Sequence, residues 1–215
     1  MDKSVSTKID EFFNRYTLRS LKAGEILAQA GETLPGIFYL ESGRVRQYDI
    51  SEHGTELVLN TFKPRAFFPV ARALRKGANP YFFEAVAPIT YRMAPAEEII
   101  AFLQTNPDVM LDLLARVYRG TDGVLRRMAY MIGGGAHRRA VYELYVAAQR
   151  FGRKTENGIA ISMHEGELAR SAGLSRETLS RELQGLKKSG AVRITRKDIV
   201  LKDTAVLERE LGFED

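Results

Sequence analysis

Gly173 has a helical pattern on either side of it, and no other feature of the sequence limits the local fold as tightly. Before it, Leu168 and Ala169 lie on one apolar face; after it, Leu179, Leu183 and Leu186 recur at spacings of four and three. Two short helices that meet at a glycine make a helix-turn-helix, the glycine supplying the tight bend. Ser175 stands where an N-cap belongs, and Thr178 three positions later leaves the capping box incomplete. Ser189 and Gly190 stop the second helix. Its leucine-free face carries Arg176, Glu177, Ser180 and Arg181 near the start, where a recognition helix meets base edges. Solvation alone also produces such a face, so its meaning depends on the rest of the chain.

The 215 residues allow one large domain or two modest ones, and 45% of them are hydrophobic, enough to build a core. Lys and Arg number 32 against 27 Asp and Glu, a net charge of +5 that suits a polyanion partner without demanding one. Cysteine is absent. Disulfides, thiolate metal sites, cysteine-ligated iron–sulfur clusters and thiol redox sensing at the chain's own residues are thereby excluded. Residues 1–15 mix acidic and basic side chains, and no run reaches the roughly 18 apolar residues of a membrane span. The expectation is a protein of the cytoplasm with no signal peptide and no membrane partner.

Along the chain, Ile9, Phe12, Phe13 and Tyr16 fall at helical spacing within residues 6–16. Short strand patterns follow at 25–29, 37–41, 44–50 and 56–62, with Gly31, Gly43 and Gly54 in the turns between them. Strands of this length joined by glycine turns predict an antiparallel β-roll or jelly roll, which 67–70, 81–86 and 90–93 would complete. Residues 71–76 have room for one helical turn, ended by Gly77, Asn79 and Pro80. Helical patterns resume at 95–104 and restart at Asn106 and Pro107.

From there Leu111, Leu114, Tyr118, Leu125, Met128 and Ile132 follow alternating steps of three and four once Thr121 is included. A heptad stripe this long predicts a helix that pairs with its copy, a homodimer stalk, against the alternative of a core helix lying on the roll. Gly133, Gly134 and Gly135 read as a flexible joint and a domain boundary. Beyond it, 138–151 places Val141, Leu144, Tyr145 and Ala148 on one helical face, and 158–162 is a candidate strand. After the helix-turn-helix, 192–195, the turn Arg196-Lys197-Asp198 and 199–201 read as a β-hairpin wing. The predicted class is therefore α+β: a β-roll sensor domain (1–106), a dimerisation helix with a glycine hinge (107–135) and a winged helix-turn-helix (136–215).

This order of parts resembles the CRP/FNR family of bacterial transcription regulators over nearly the whole chain. The sharpest likeness is Gly173-Leu174-Ser175-Arg176-Glu177-Thr178-Leu179-Ser180-Arg181, close to the family's Gly-Leu-Ser-Arg-Glu-Thr-Val-Ser-Arg signature. The resemblance implies that Arg176 donates to guanine or a phosphate, Glu177 accepts from a cytosine amino group and Arg181 donates to guanine O6 and N7. Chemistry agrees, since a guanidinium fork matches guanine's major-groove edge and a carboxylate accepts from cytosine N4. Ser175 and Thr178 would hold phosphates, and Lys187, Lys188, Arg196 and Lys197 would add sequence-independent attraction. Ser180 belongs to the same DNA-facing set. Double-stranded DNA and a second copy are the implied partners, with RNA polymerase a further candidate that no motif marks. One departure is His164, standing where the family commonly has Ser or Thr as the N-cap of the first motif helix, with Glu167 three positions on.

The larger departure lies in the sensor. Members that bind cyclic nucleotides carry Gly-Glu-Leu and, further on, Arg followed by Ser or Thr to hold the phosphate. Here those segments read Phe67-Phe68-Pro69-Val70 and Tyr81-Phe82-Phe83-Glu84-Ala85. With that arginine missing and Glu84 near its place, cyclic AMP and cyclic GMP are not expected as effectors, although Arg72, Arg75 and Lys76 leave some capacity for an anion. Of His53, His137 and His164 only His53 belongs to the roll, so no haem is expected; with no cysteine, no iron–sulfur cluster is either. Phe67, Phe68, Arg72, Tyr81, Phe83 and Glu84 are the candidates for a pocket taking an uncharged or aromatic effector. The alternative is a roll filled by its own side chains, because successive strand residues face opposite sides. Barrels of this type also host metal-dependent enzymes, but three scattered histidines with no His-x-His pair argue against one. The rival assignment is a ligand-binding or protein-interaction module without specific DNA reading.

Overall fold

Alternation of apolar and polar residues with frequent glycine turns folds the first half of the chain into paired sheets. The computed structural model describes residues 3–75, 77–195 and 198–213. They form two units, Met1–Thr121 and Asp122–Asp215. In the first, α1 (Lys3–Phe13) buries Val5, Ile9, Phe12 and Phe13. Eight strands follow: β1 (Arg19–Leu21), β2 (Ile26–Ala28), β3 (Ile37–Ser42), β4 (Val45–Ile50), β5 (Glu56–Phe62), β6 (Phe67–Phe68), β7 (Phe82–Ala85) and β8 (Ile89–Ala94), with the short α2 (Val70–Leu74) after β6. They make two antiparallel sheets in the orders β1-β8-β3-β6 and β2-β7-β4-β5. This is the predicted antiparallel roll. β1 went unpredicted: three residues are too few to show alternation, and pairing with β8 defines it.

Aromatic rings fill the space between the sheets. Phe62 and Phe68 stack with centroids 4.0 Å apart, and Phe68 and Phe83 at 5.5 Å, among Leu40, Val45, Ala85 and Ile89. Phe67 points the opposite way, into a second core with Phe13, Tyr39, Ile99 and Val109. That core lies beneath α1, α3 (Ala96–Thr105) and the first turn of α4 (Pro107–Gly133).

The surface of α4 divides lengthwise. The heptad residues Leu111, Leu114, Tyr118, Leu125, Met128 and Ile132 are all exposed. Near the start of the helix, Val109 is buried in the first unit, and Arg116 pairs with Asp112 and donates to the Arg65 carbonyl at 3.3 Å. Near its end, the Arg127 guanidinium grips the Glu143 carboxylate with both Nε and Nη2, the latter at 2.8 Å, and the Tyr130 ring stacks on Tyr142 at 4.5 Å. Tyr130 Oη also donates to the Leu211 carbonyl at 3.0 Å, and Tyr142 Oη to that of Gly123 at 3.2 Å. No helix of the described residues is long and apolar enough to cross a membrane.

In the second unit α5 (Ala136–Phe151) is the central helix, burying Val141, Leu144, Ala147 and Ala148. Around it lie β9 (Gly152–Thr155), β10 (Gly158–Ile161), α6 (Glu165–Ala172), α7 (Arg176–Lys188), β11 (Val192–Ile194), β12 (Ile199–Leu201) and α8 (Thr204–Leu211), with sheet order β11-β12-β10-β9. The boundary expected at Gly133 to Gly135 falls inside this unit, because Arg127 and Tyr130 fix the end of α4 to α5 and the chain before α8's C-cap. The Gly134 N–H bonds to the Tyr130 carbonyl at 2.9 Å, and a Cβ at Gly134 would lie 2.5 Å from that oxygen.

The three glycines should therefore respond unequally to alanine. Gly134→Ala is expected to cost about 1–3 kcal/mol, whereas Gly133→Ala and Gly135→Ala, where a Cβ meets nothing, should change stability by less than about 0.5 kcal/mol; urea unfolding reads all three. Arg127→Met would strand the buried Glu143 carboxylate, a loss of about 3–5 kcal/mol near neutral pH. Burial already pushes the Glu143 carboxyl above its usual range while Arg127 pulls it back. A carboxyl with a raised folded-state pKa stabilises most when protonated. The variant should regain stability as pH falls through that raised value, which unfolding midpoints at stepped pH would show.

Candidate nucleic-acid interface

The reading helix is set by its neighbours in order. His164 occupies the N-cap of α6 but its side chain makes no capping bond, so the first turn relies on Glu165 and Glu167 against the positive helix end. Gly173 ends α6 in the left-handed region, φ 58° and ψ 39°, where a residue without Cβ is favoured. The Leu174 N–H returns to the Ala169 carbonyl at 2.9 Å, and Arg139 on α5 donates to the Gly173 carbonyl at 3.2 Å, pinning the turn.

Ser175 caps α7: its Oγ accepts the Thr178 N–H at 3.1 Å and its hydroxyl donates to Thr178 Oγ1 at 2.9 Å. Both hydroxyls expected to hold phosphates are thus already engaged in the cap. Leu179, Leu183 and Leu186 are buried against α5, α6 and the sheet. This turns Arg176, Glu177 and Arg181 outward, the Arg181 side chain 74% exposed, with Ser180 half-buried beside them. Glu182, the carboxylate next to Arg181, lies 3.2 Å from His137 Nδ1, whose Nε2 is 3.1 Å from Glu210. Lys187 and Lys188 are exposed in the last turn. Gln184 was missed by sequence reasoning; it is exposed three residues after Arg181, and glutamine can pair with the N6 and N7 edge of adenine. Its spacing was the available signal.

β11 and β12 form the wing, closed where Thr195 exchanges backbone and side-chain bonds with Asp198 at 2.9 Å. Arg196 and Lys197 lie outside the described residues. Against known families, residues 18–106 match the cyclic nucleotide-binding domain and residues 139–210 the Crp-like helix-turn-helix domain.

The chain belongs to the CRP/FNR family.

It is a DNA-binding transcription regulator of that family, whose members act as dimers. The global nitrogen regulator of Nostoc sp. PCC 7120 is 26% identical over 189 residues, covering 84% of this chain and 82% of that protein. The fumarate and nitrate reduction regulatory protein of Escherichia coli K12 is 23% identical over 199 residues, covering 90% and 78%. Among solved structures, a CooA mutant from Carboxydothermus hydrogenoformans has the same fold, with a TM-score of 0.77 at 21% identity over 94% of this chain and 90% of that one.

In this CRP/FNR regulator the six candidate effector residues do not share a cavity. Phe68 and Phe83 are buried in the stack between the sheets with Tyr81 packed against it, while Phe67 belongs to the other core. Arg72 donates to the Ala78 carbonyl at 3.0 Å. Glu84 bonds Arg46 at 2.7 Å, and Arg46 also pairs with Glu56 and lies 4.3 Å from the centre of the Tyr48 ring. Arg46 is only 5% exposed, and sequence reasoning did not single it out. Two open grooves lie elsewhere on the roll, one of about 320 Å³ beside Arg15, Arg19 and Met93 and one of about 470 Å³ beside Lys22 and Thr90. His53, the roll's histidine, is exposed in the turn between β4 and β5.

Removing the Ser175 cap tests how far the reading surface depends on the start of α7. Ser175→Ala is expected to lower stability by about 1 kcal/mol and to weaken DNA binding in parallel, as measured by urea unfolding and fluorescence anisotropy.

Proposed function

We propose that two copies pair through the exposed stripe of α4 and present two α7 helices to successive major grooves on one face of a duplex, about 34 Å apart. The DNA site is then pseudo-palindromic. The observation that carries this reading is the orientation of α7, with three leucines buried and Arg176, Glu177 and Arg181 turned outward from a capped first turn. Arg181 donates to guanine, Glu177 accepts from cytosine, and Arg176 donates to guanine or phosphate. The lysines at the end of α7 add attraction that carries no sequence information. The partners we assign are duplex DNA in the cytoplasm and a second copy, with RNA polymerase carried over from the family.

Cyclic nucleotides are not the effectors in this reading, and no haem or iron–sulfur cluster is assigned. Its support is the Phe62–Phe68–Phe83 stack between the sheets and the use of Glu84 to neutralise Arg46. The roll then serves as a platform for α4, and an effector of another class would bind elsewhere on it or displace that packing.

Selecting bound sequences from a random duplex pool should enrich a two-fold symmetric site. On it, Arg181→Ala should cost about 1–3 kcal/mol and relax preference at one base position per half-site. An Arg181→Ala protein that binds every duplex as the parent does would remove α7 as the reader. Adding cyclic AMP should leave the affinity unchanged; a severalfold increase would overturn the assignment for the roll.

A further inference from the structure

His137 stands in the first turn of α5, and two carboxylates from other helices converge on its ring. Glu182 of α7 lies 3.2 Å from Nδ1, and Glu210 of α8 lies 3.1 Å from Nε2. A neutral imidazole has one N–H and one bare nitrogen, and an ionised carboxylate can only accept. Both contacts are therefore made at once only by the imidazolium, whose positive charge then sits between two negative ones. α5 has no acidic residue of its own in this turn, so the two carboxylates also balance the positive helix end there.

The other charges on these helices are engaged elsewhere or exposed. On α5, Arg139 donates to the Gly173 carbonyl and Arg138 is exposed. On α8, Arg209 donates to the Ala205 carbonyl and Glu208 takes a hydrogen bond from Tyr145. Near the end of α4, Arg127 is paired with Glu143 and Arg126 lies over the Phe213 ring. On α7, Arg176, Glu177, Lys187 and Lys188 are exposed. Glu214 and Asp215 lie outside the described residues. The exception is Arg181, whose Nε is 3.9 Å from Glu182 Oε1. Glu182 thus has one oxygen toward His137 and the other toward Arg181.

We propose that His137 is a positioning residue for DNA reading: as the imidazolium it clamps Glu182 to α5 and α8, and as the neutral ring it releases Glu182 to compete with DNA for the Arg181 guanidinium. The neutral ring has one N–H for two carboxylates, so one of them loses its partner. Loss of the ring's charge also makes the unit that meets a polyanion more negative. Both effects weaken DNA binding as pH rises through the histidine range. The step to DNA rests on α7 as the reader, as proposed above; the clamp does not.

Urea unfolding of the full-length protein tests the clamp without DNA, with His137→Gln, Glu182→Gln and the double variant compared at about pH 6 and about pH 8, on either side of the histidine range. At the lower pH the double variant should lose less stability than the sum of the two single losses, and that shortfall should shrink at the higher pH. No shortfall, or one that does not change with pH, would overturn the clamp. Fluorescence anisotropy at constant ionic strength, on the duplex enriched by selection, tests the role in reading. The parent should bind about three- to tenfold more weakly at the higher pH, the range expected of two partly exposed ion pairs. His137→Gln should lose that difference although His53 and His164 are still present, and Glu182→Gln, with no carboxylate to release, should be equally insensitive. Equal pH dependence in the parent and His137→Gln, whether or not the variant binds more weakly overall, would overturn the positioning role. A parent that enriches no duplex at either pH would remove α7 as the reader and this role with it, whatever the unfolding shows of the clamp.

Discussion

A helix has one circumference, and α4 must divide its own among three partners. At its start Val109 is buried in the first unit, and at its end the bidentate Arg127–Glu143 pair anchors it within the second. The opposite stripe keeps Leu111, Leu114, Tyr118, Leu125, Met128 and Ile132 in solvent. Each such side chain gains on the order of 1.5–3 kcal/mol when fully buried, so a stripe of this length is a strong reason for two copies to associate. The heptad period confines those side chains to one seam, which leaves the other side of α4 free to hold its own protomer.

The roll meets a related demand with aromatic rings. The Phe62, Phe68 and Phe83 stack lies between the sheets, while Phe67, the immediate neighbour of Phe68, fills the core under α1 and α3. The alternating pleat makes this division unavoidable. On the other face of the second sheet, Arg46 sits between Glu56 and Glu84 and over Tyr48. A guanidinium this deeply buried needs both carboxylates, since an unpaired buried charge is costly.

Periodic features were legible in the sequence, and features made by distant partners were not. The stripe on α4, the buried leucines of α7 and the cap at Ser175 all follow from local spacing. Arg46 could not be read, because Glu84 reaches it only once β4 pairs with β7. β9 was missed since Gly-Arg-Lys-Thr shows no alternation. α8 was missed despite real signals: Asp203 caps it by accepting the Ala205 N–H, Leu207 and Leu211 are buried, and Gly212 ends it in the left-handed region. Composition alone does not distinguish a glycine chosen for freedom from one chosen for fit. Gly134 is the second kind, with the Tyr130 carbonyl where its Cβ would be. Gly120 and Gly123, hidden inside a helical pattern, have open space where a Cβ would be.

The exposed centre of α4 also carries seam residues: Tyr118 and Leu125 lie within or beside it. A second copy that settles on these side chains also fixes their rotamers, so part of the association free energy is spent on ordering them. Thermodynamic linkage makes the effect reciprocal. Any influence that orders these side chains tightens the dimer by the same factor that the dimer orders them. Self-association and the ordering of this exposed stripe are thus one coupled equilibrium.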